Sequence, residues 1–147
     1  YIDESGFAHD MSRSHGYAPR GLRCPGLRDW QARGRVNVIG ALLAGVLLSV
    51  GLTASNVAAD MFNLWLGQDM LPKLPPDAVL VLDNASFHKR SDTEKLIAGA
   101  GHTFEYLPPY SPDLNKIKPI RAQAKAIRRR TGLSVDELFS CKKWNQN

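Results

Sequence analysis

Residues 36–52, VNVIGALLAGVLLSVGL, form the most apolar stretch of the chain and restrict its fold more than any other segment. The uninterrupted part runs from Val38 to Val50 with only Ser49 polar. That is shorter than the ~18–20 apolar residues a membrane-spanning helix needs. Gly40, Gly45 and Gly51 interrupt it, and β-branched residues cluster at both ends. Two buried strands turning near Ala44–Gly45 account for all of these features, so a hairpin is expected rather than a span.

A buried hairpin needs neighbours, and the flanking patterns supply them. Residues 1–7 read as a strand ending at Gly6. Residues 8–35, rich in Arg and Gly, read as a loop with a short strand near residues 17–19. Val57, Met61, Leu64, Trp65 and Leu71 recur at helical spacing in residues 56–71, with Pro72 beyond. Pro75–Pro76–Asp77 makes a turn into AVLVL at residues 78–82, a short apolar run of the kind buried on both faces of a sheet. Ser91 and Glu94 match a capping box opening a helix that stops at Gly99 or Gly101. A strand over residues 102–107, a long helix over 113–130 and a short one over 134–139 complete the chain. Strands come first and then alternate with helices, which predicts an α/β fold with a mixed sheet flanked by helices.

Composition excludes some classes. At 147 residues and 44% apolar content the chain suits one domain with a real core, and 22% charged residues is ordinary for a globular protein. Cys24 and Cys141 lack metal-ligand spacing and read as free thiols in a reducing compartment. His9, His15 and His102 have no partner at metal-ligand spacing and read as surface or turn residues, and Trp30, Trp65 and Trp144 as packing residues. No signal peptide is expected ahead of Tyr1. Charge is uneven. Residues 1–111 carry ten Lys/Arg and eleven Asp/Glu, a net of −1, while residues 112–147 carry nine and three, a net of +6. The positive end suits phosphates, and equally a solvated helix face.

Two acids stand where chemistry is expected. Asp3 lies in YIDESGF, and Asp83 directly follows the apolar run VLVL. Carboxylates from neighbouring strands can share a divalent cation that prefers hard oxygen ligands. Taken singly, each Asp is explained as well by capping a turn.

Five words in order change that balance: DESGF from Asp3, YAPRG from Tyr17, RVNVIGAL from Arg35, LDNASFHK from Leu82 and LPPYSPDLN from Leu107. Together they resemble the catalytic domain of mariner-like bacterial insertion-sequence transposases, members of the DDE endonuclease superfamily. The resemblance covers residues 1–139, leaving 140–147 as a C-terminal tail. It implies an RNase H-like sheet of about five strands. It also implies two-metal phosphoryl transfer with Mg²⁺ or Mn²⁺, cutting transposon ends and joining the 3′-hydroxyl to target DNA. By resemblance Asp3 and Asp83 are the first and second metal-binding carboxylates, and Glu4, Asn84, His88 and Asn115 are supporting residues. DNA is the implied partner, a homodimer is compatible with it, no membrane is involved, and the implied location is the bacterial cytoplasm at the nucleoid. In the family, helix-turn-helix modules ahead of the catalytic domain recognise the ends. They would lie upstream of Tyr1, so this chain alone is expected to bind DNA weakly and with little sequence preference.

The third carboxylate is where the sequence departs from the family. The pattern after Leu114–Asn115 runs proline, isoleucine, glutamate and, soon after, tryptophan; here Lys116, Ile117, Lys118 and Arg121 stand in those places. Thirty-four residues separate Asp83 from Lys118, the family interval to its final glutamate. Replacing a carboxylate by an ammonium removes an anionic ligand and adds a cation where dications belong. Hydrolysis and strand transfer are expected to be lost or cut by orders of magnitude. Each of the two substitutions is reachable by one base change, so decay of the element is a sufficient origin. Neither Asp113, expected ahead of the helix proper, nor Glu4, expected on the opposite strand face from Asp3, reads as a replacement.

The same helix makes sense without chemistry. Ile117, Ile120, Ala124 and Ile127 form a packing stripe, and Lys118, Arg121, Lys125 and Arg128 a basic one beside it. With Arg129 and Arg130, Lys125 and Arg128 are expected to grip a phosphate backbone without reading bases. Two other functions therefore stand beside the impaired transposase. One is a catalytically dead DNA-binding or regulatory partner of an intact enzyme. The other is an unrelated phosphotransfer enzyme using Asp83, for which Asp3-Glu4-Ser5 does not supply the DxD motif.

Overall fold

Neighbouring residues of the apolar stretch decide the layering. In the computed structural model, which describes residues 1–9, 20–21 and 34–140, this stretch is the predicted hairpin. Strand β2 (Arg35–Leu43) pairs antiparallel with β3 (Val46–Thr53). Ala44 and Gly45 turn it with φ of 49° and 82°, the two left-handed residues that a tight two-residue hairpin turn requires. Val38 and Ile39 point to opposite faces of β2, yet both are buried. The sheet is therefore covered on both sides.

Each face has its own core. Ile39 and Ala41 join Ile2, Phe62, Trp65, Leu66, Met70, Leu80, Leu82 and Ile97. Val38 joins Phe7, Ala124, Val135 and Leu138 on the other face. Strand β1 (Ile2–Ala8) runs antiparallel to β2 and continues through Gly6 rather than stopping there. A Cβ on Gly6 would sit within 2.0 Å of the Arg35 guanidinium, which lies across it. Strands β4 (Val79–Leu82) and β5 (Thr103–Tyr106) pair parallel, and β4 lies beside β1. The five described strands are hydrogen-bonded as a set of three and a set of two. The short strand expected near residues 17–19 lies outside the described residues, as do His15, Cys24, Trp30, Cys141 and Trp144.

The helices follow the sequence with corrections at their ends. Helix α1 (Ala59–Trp65) is α-helical for seven residues only, then widens into a π turn over Leu66–Met70 and tightens to 3₁₀ over Leu71–Lys73. The periodicity over residues 56–71 is thus met by three winding geometries. Helix α2 (Ser91–Gly99) starts where the capping box was expected, but no side chain caps it. Arg90 is its N-cap residue, and Asp92 Oδ1 instead accepts from the Thr93 amide while its carboxylate pairs with Arg90. Helix α3 (Ile117–Thr131) begins four residues later than expected, because residues 112–114 form a separate 3₁₀ turn. Gly132, at φ 70°, returns its amide to the Arg128 carbonyl and ends it. Helix α4 (Val135–Ser140) packs on α3. His102, expected at a surface or turn, is buried and accepts from the Ala78 amide at its Nδ1. None of the described helices is long and apolar enough to cross a membrane.

Candidate active site

The β1 backbone and α3 are stitched by side chains that reach the strand's carbonyls. Asn115, buried just ahead of α3, donates to the Ile2 carbonyl at 3.2 Å and accepts from the Ile117 amide at 3.3 Å. Arg121 donates to the Glu4 carbonyl at 3.0 Å. Arg128 donates to the carbonyls of Ala8, His9 and Leu133. Strand edges leave such acceptors to be satisfied, and α3 satisfies them with its polar face. This docking fixes which α3 side chains meet the acids of β1.

Asp3 and Glu4 alternate across β1, so Asp3 lies on the α3 side with Phe7 and Glu4 on the side of α2. Asp83 follows β4 immediately, where its Oδ1 accepts from the Ala85 amide at 3.1 Å. The turn-capping role is therefore filled as well. Since β4 lies beside β1, all three acids meet: Asp3, Glu4 and Asp83 each bring an oxygen to within 4.8 Å of the others. The face alternation is real, and Glu4, expected as a supporting residue, still brings an oxygen into the group.

Cations fill the space around these acids. His88 is fully buried against Phe62. Its Nε2 lies 2.8 Å from Glu4 Oε1, and its Nδ1 2.8 Å from Asp83 Oδ1. Burial alone would push the imidazole pKa down, but hydrogen bonds to Asp83 and Glu4 outweigh it and raise it to about 9. His88 is therefore an imidazolium at neutral pH, bridging two carboxylates. The hydrogen bond from His88 holds the Asp83 carboxyl below the usual range.

Asp3 is the most enclosed acid, 7% exposed, and burial raises its pKa. The opposing influence is Arg121, whose Nη1 lies 2.7 Å from Asp3 Oδ2. Lys118, one turn earlier on α3, acts through space on both Asp3 and Asp83. It lines an open cleft with Asp83, Asn84, Tyr110 and Asn115.

Of the expected residues, Asp3, Glu4, Asp83, His88 and Lys118 converge, Asn84 borders the cleft, and Asn115 acts from beneath as an anchor of α3. Of the basic residues, Arg129 and Arg130 are exposed, whereas Arg128 is buried and committed to backbone carbonyls. Lys125 lies over the Phe7 ring, 5.4 Å from its centroid. Burial lowers its pKa, as do neighbouring Arg121, Arg35 and Arg129. Arg35 joins this cluster from β2, a member that no local sequence signal places. Arg121 was visible as a departure from the family's tryptophan and as a member of the basic stripe, whereas its ion pair with Asp3 depends on packing across 118 positions of chain.

A family model described as DDE superfamily endonuclease matches residues 1–138. Among solved structures, a Mos1 transposase paired-end complex with left transposon end superposes with a TM-score of 0.70 at 16% identity, covering 86% of this chain and 40% of that one. A Mos1 strand transfer complex gives 0.67 at 15% identity, covering 94% and 48%. The Mos1 catalytic domain with raltegravir and Mg gives 0.55 at 18% identity, covering 75% and 60%. The chain thus spans less than two thirds of each of these proteins and shares their fold. Among curated proteins, none matches the sequence.

Proposed function

The chain belongs to the DDE superfamily endonucleases, and on that premise we propose that residues 1–139 are the catalytic domain of a mariner-like insertion-sequence transposase whose chemistry is impaired at Lys118. The observation that carries this reading is the convergence of Asp3 and Asp83 from separate strands, with Lys118 of α3 facing both. That is the placement a third carboxylate needs, filled by a residue of opposite charge.

Divalent metal is the cofactor such a site implies, and the Mos1 catalytic domain with raltegravir is a complex with Mg. The residues of this chain do not fit a two-metal centre. Arg121 holds Asp3, His88 holds Asp83 and Glu4, and Lys118 adds a further positive charge. Two dications need several anionic oxygens free to face them, and here each carboxylate already faces a cation.

DNA is the substrate and partner in this reading. A second reading, a DNA-holding or regulatory partner without chemistry, is favoured by the exposed Arg129 and Arg130 at the end of α3. Backbone contacts of that kind need only charge and no metal.

The test is Mn²⁺- or Mg²⁺-dependent cutting of transposon-end DNA by the Lys118 protein and by K118E/R121Q, which restores the acid and also removes the cation held on Asp3, each fused to a family DNA-binding module. Product is expected from K118E/R121Q and none from the Lys118 protein. Equal cutting by both would remove Lys118 from the triad position and return Glu4 and Asp113 to consideration. If neither cuts while both bind DNA, the DNA-holding reading takes its place.

A further inference from the structure

We propose that Arg121 is a built-in counter-cation standing in for divalent metal at Asp3, so that a carboxylate restored at position 118 does not by itself restore metal binding. The inference rests on the transposase reading for the ion that once belonged there, and on this chain's own contacts for everything else.

Three observations carry it. Arg121 Nη1 engages Asp3 Oδ2 at 2.7 Å, and Asp3 is the least accessible acid of the cluster. The same nitrogen also donates to the Glu4 carbonyl at 3.0 Å. The guanidinium is thus anchored to backbone, not merely swung onto the acid from solvent, and it is only one third exposed. Lys118 of the same helix also acts on Asp3, so two permanent side-chain cations stand on the acid cluster of Asp3, Glu4 and Asp83. Lys118 and Arg121 stand three residues apart on one face of α3. One helix therefore delivers both substituents, and removing the first leaves the second in place.

A dication entering beside Asp3 must displace a guanidinium or bind within a few ångströms of it. Repulsion between a dication and a fixed unit charge at that range is worth at least about a factor of ten in affinity, even in a water-like dielectric. Arg121 is also locked by two acceptors, so moving it aside sacrifices both hydrogen bonds.

The experiment is Mn²⁺ binding to the chain alone, without DNA, read from the loss of the free-ion electron paramagnetic resonance signal. The proteins are wild type, K118E, K118E/R121Q, K118Q and K118Q/R121Q. The expected result is weak binding by wild type, K118E and K118Q, with each R121Q partner binding at least about tenfold more tightly than its parent. Mn²⁺ should raise the Tm of K118E/R121Q while leaving that of wild type unchanged, and chelator should leave wild type unchanged as well.

The glutamine pair adds no negative charge, so it decides the matter if K118E/R121Q does not fold. D3N placed in whichever double variant binds should abolish the gain. Equal affinities with and without Arg121, or no binding in either double variant, would overturn the proposal. Wild type binding Mn²⁺ as tightly as the double variants would do the same. DNA cutting judges the transposase reading separately. K118E that cuts, with affinities unchanged by R121Q, leaves that reading intact and removes only this inference.

Discussion

Truncating Arg121 to Gln tests whether Asp3 depends on a side-chain cation for its place in the fold. Asp3 is 7% exposed and Arg121 33% exposed. Removing one partner of a fully buried ion pair costs about 3–5 kcal/mol, because the other charge is left desolvated. Solvent reaches a third of Arg121 and Lys118 remains nearby, so the cost here is discounted to about 2 kcal/mol. For a domain of this size that is a fall of roughly 6 °C in Tm.

The pH dependence has a definite sign. Burial already raises the Asp3 pKa above 3.8, and Arg121 opposes that rise. Without Arg121 the pKa climbs further, so the native state holds its proton to higher pH than the unfolded chain does. Stability then falls as pH rises from about 4 through the folded pKa, and the R121Q penalty is small in acid and full at neutrality. Urea unfolding followed by tryptophan fluorescence, with chelator present at pH 4.5 and pH 7.5, reads both effects. In the D3N background the Arg121 truncation should cost about 1–2 kcal/mol less than in wild type. An identical cost in both backgrounds would show that Arg121 contributes only its hydrocarbon stem and backbone hydrogen bond, and the ion-pair reasoning would fail.

His88, with its pKa raised to about 9 by Asp83 and Glu4, stabilises the fold fully below pH 6.5 and loses that contribution as pH climbs through 9. Unfolding free energy should drop by up to about 3 kcal/mol over that interval, and H88Q should flatten the curve in the same titration. Arg128 and its neighbours should separate cleanly. R128A, which strips hydrogen bonds from the carbonyls of Ala8, His9 and Leu133, should cost about 2–4 kcal/mol in urea unfolding. R129A/R130A should leave stability within about 0.5 kcal/mol. The same pair should lower the salt slope of non-specific DNA binding, measured by fluorescence anisotropy, by about one per residue removed. An unchanged slope would take those two arginines out of the phosphate contact.

The layout of the sheet was legible because its signals are local. The hairpin follows from apolar residues broken by Ala44–Gly45, and β4 from four apolar residues ahead of Asp83, both set by short-range backbone and burial preferences. Helix ends were less legible. Leu66–Met70 keeps the apolar spacing of a helix while winding as a π turn, since periodicity reports the buried face and not the hydrogen-bond register. The capping box at Ser91 failed because Asp92 competes for the same first-turn amides and is itself held by Arg90. In the site, Asp83 and Lys118 could be located by order and spacing. The partners of Arg121 and Arg128 could not, since a basic stripe has the same sequence whether it faces water or the carbonyls of β1. Glu4 leaves β1 from the face opposite Asp3, as alternation requires, and its side chain is long enough to bring an oxygen within 4.8 Å of Asp3 and Asp83.

A carboxylate cluster of the metal-binding kind imposes two separable demands, and the side-chain cations of this chain answer to the first of them. The first is structural: acids brought within 4.8 Å of one another repel, and some positive charge must sit among them for the strands to close. The second is chemical: catalysis by metal needs that charge to be a dication with open positions for water and phosphate. Arg121, Lys118 and His88 satisfy the first demand with side chains that are always present. They cannot satisfy the second, because guanidinium, ammonium and imidazolium donate protons and offer no coordination sites. Cations at these places therefore balance the acids within the fold without metal. Neutral substitution at both positions would leave three acids facing His88 alone, and metal binding should then raise stability. With Lys118 and Arg121 both cationic, the acid cluster needs no metal for sheet and core to remain in register.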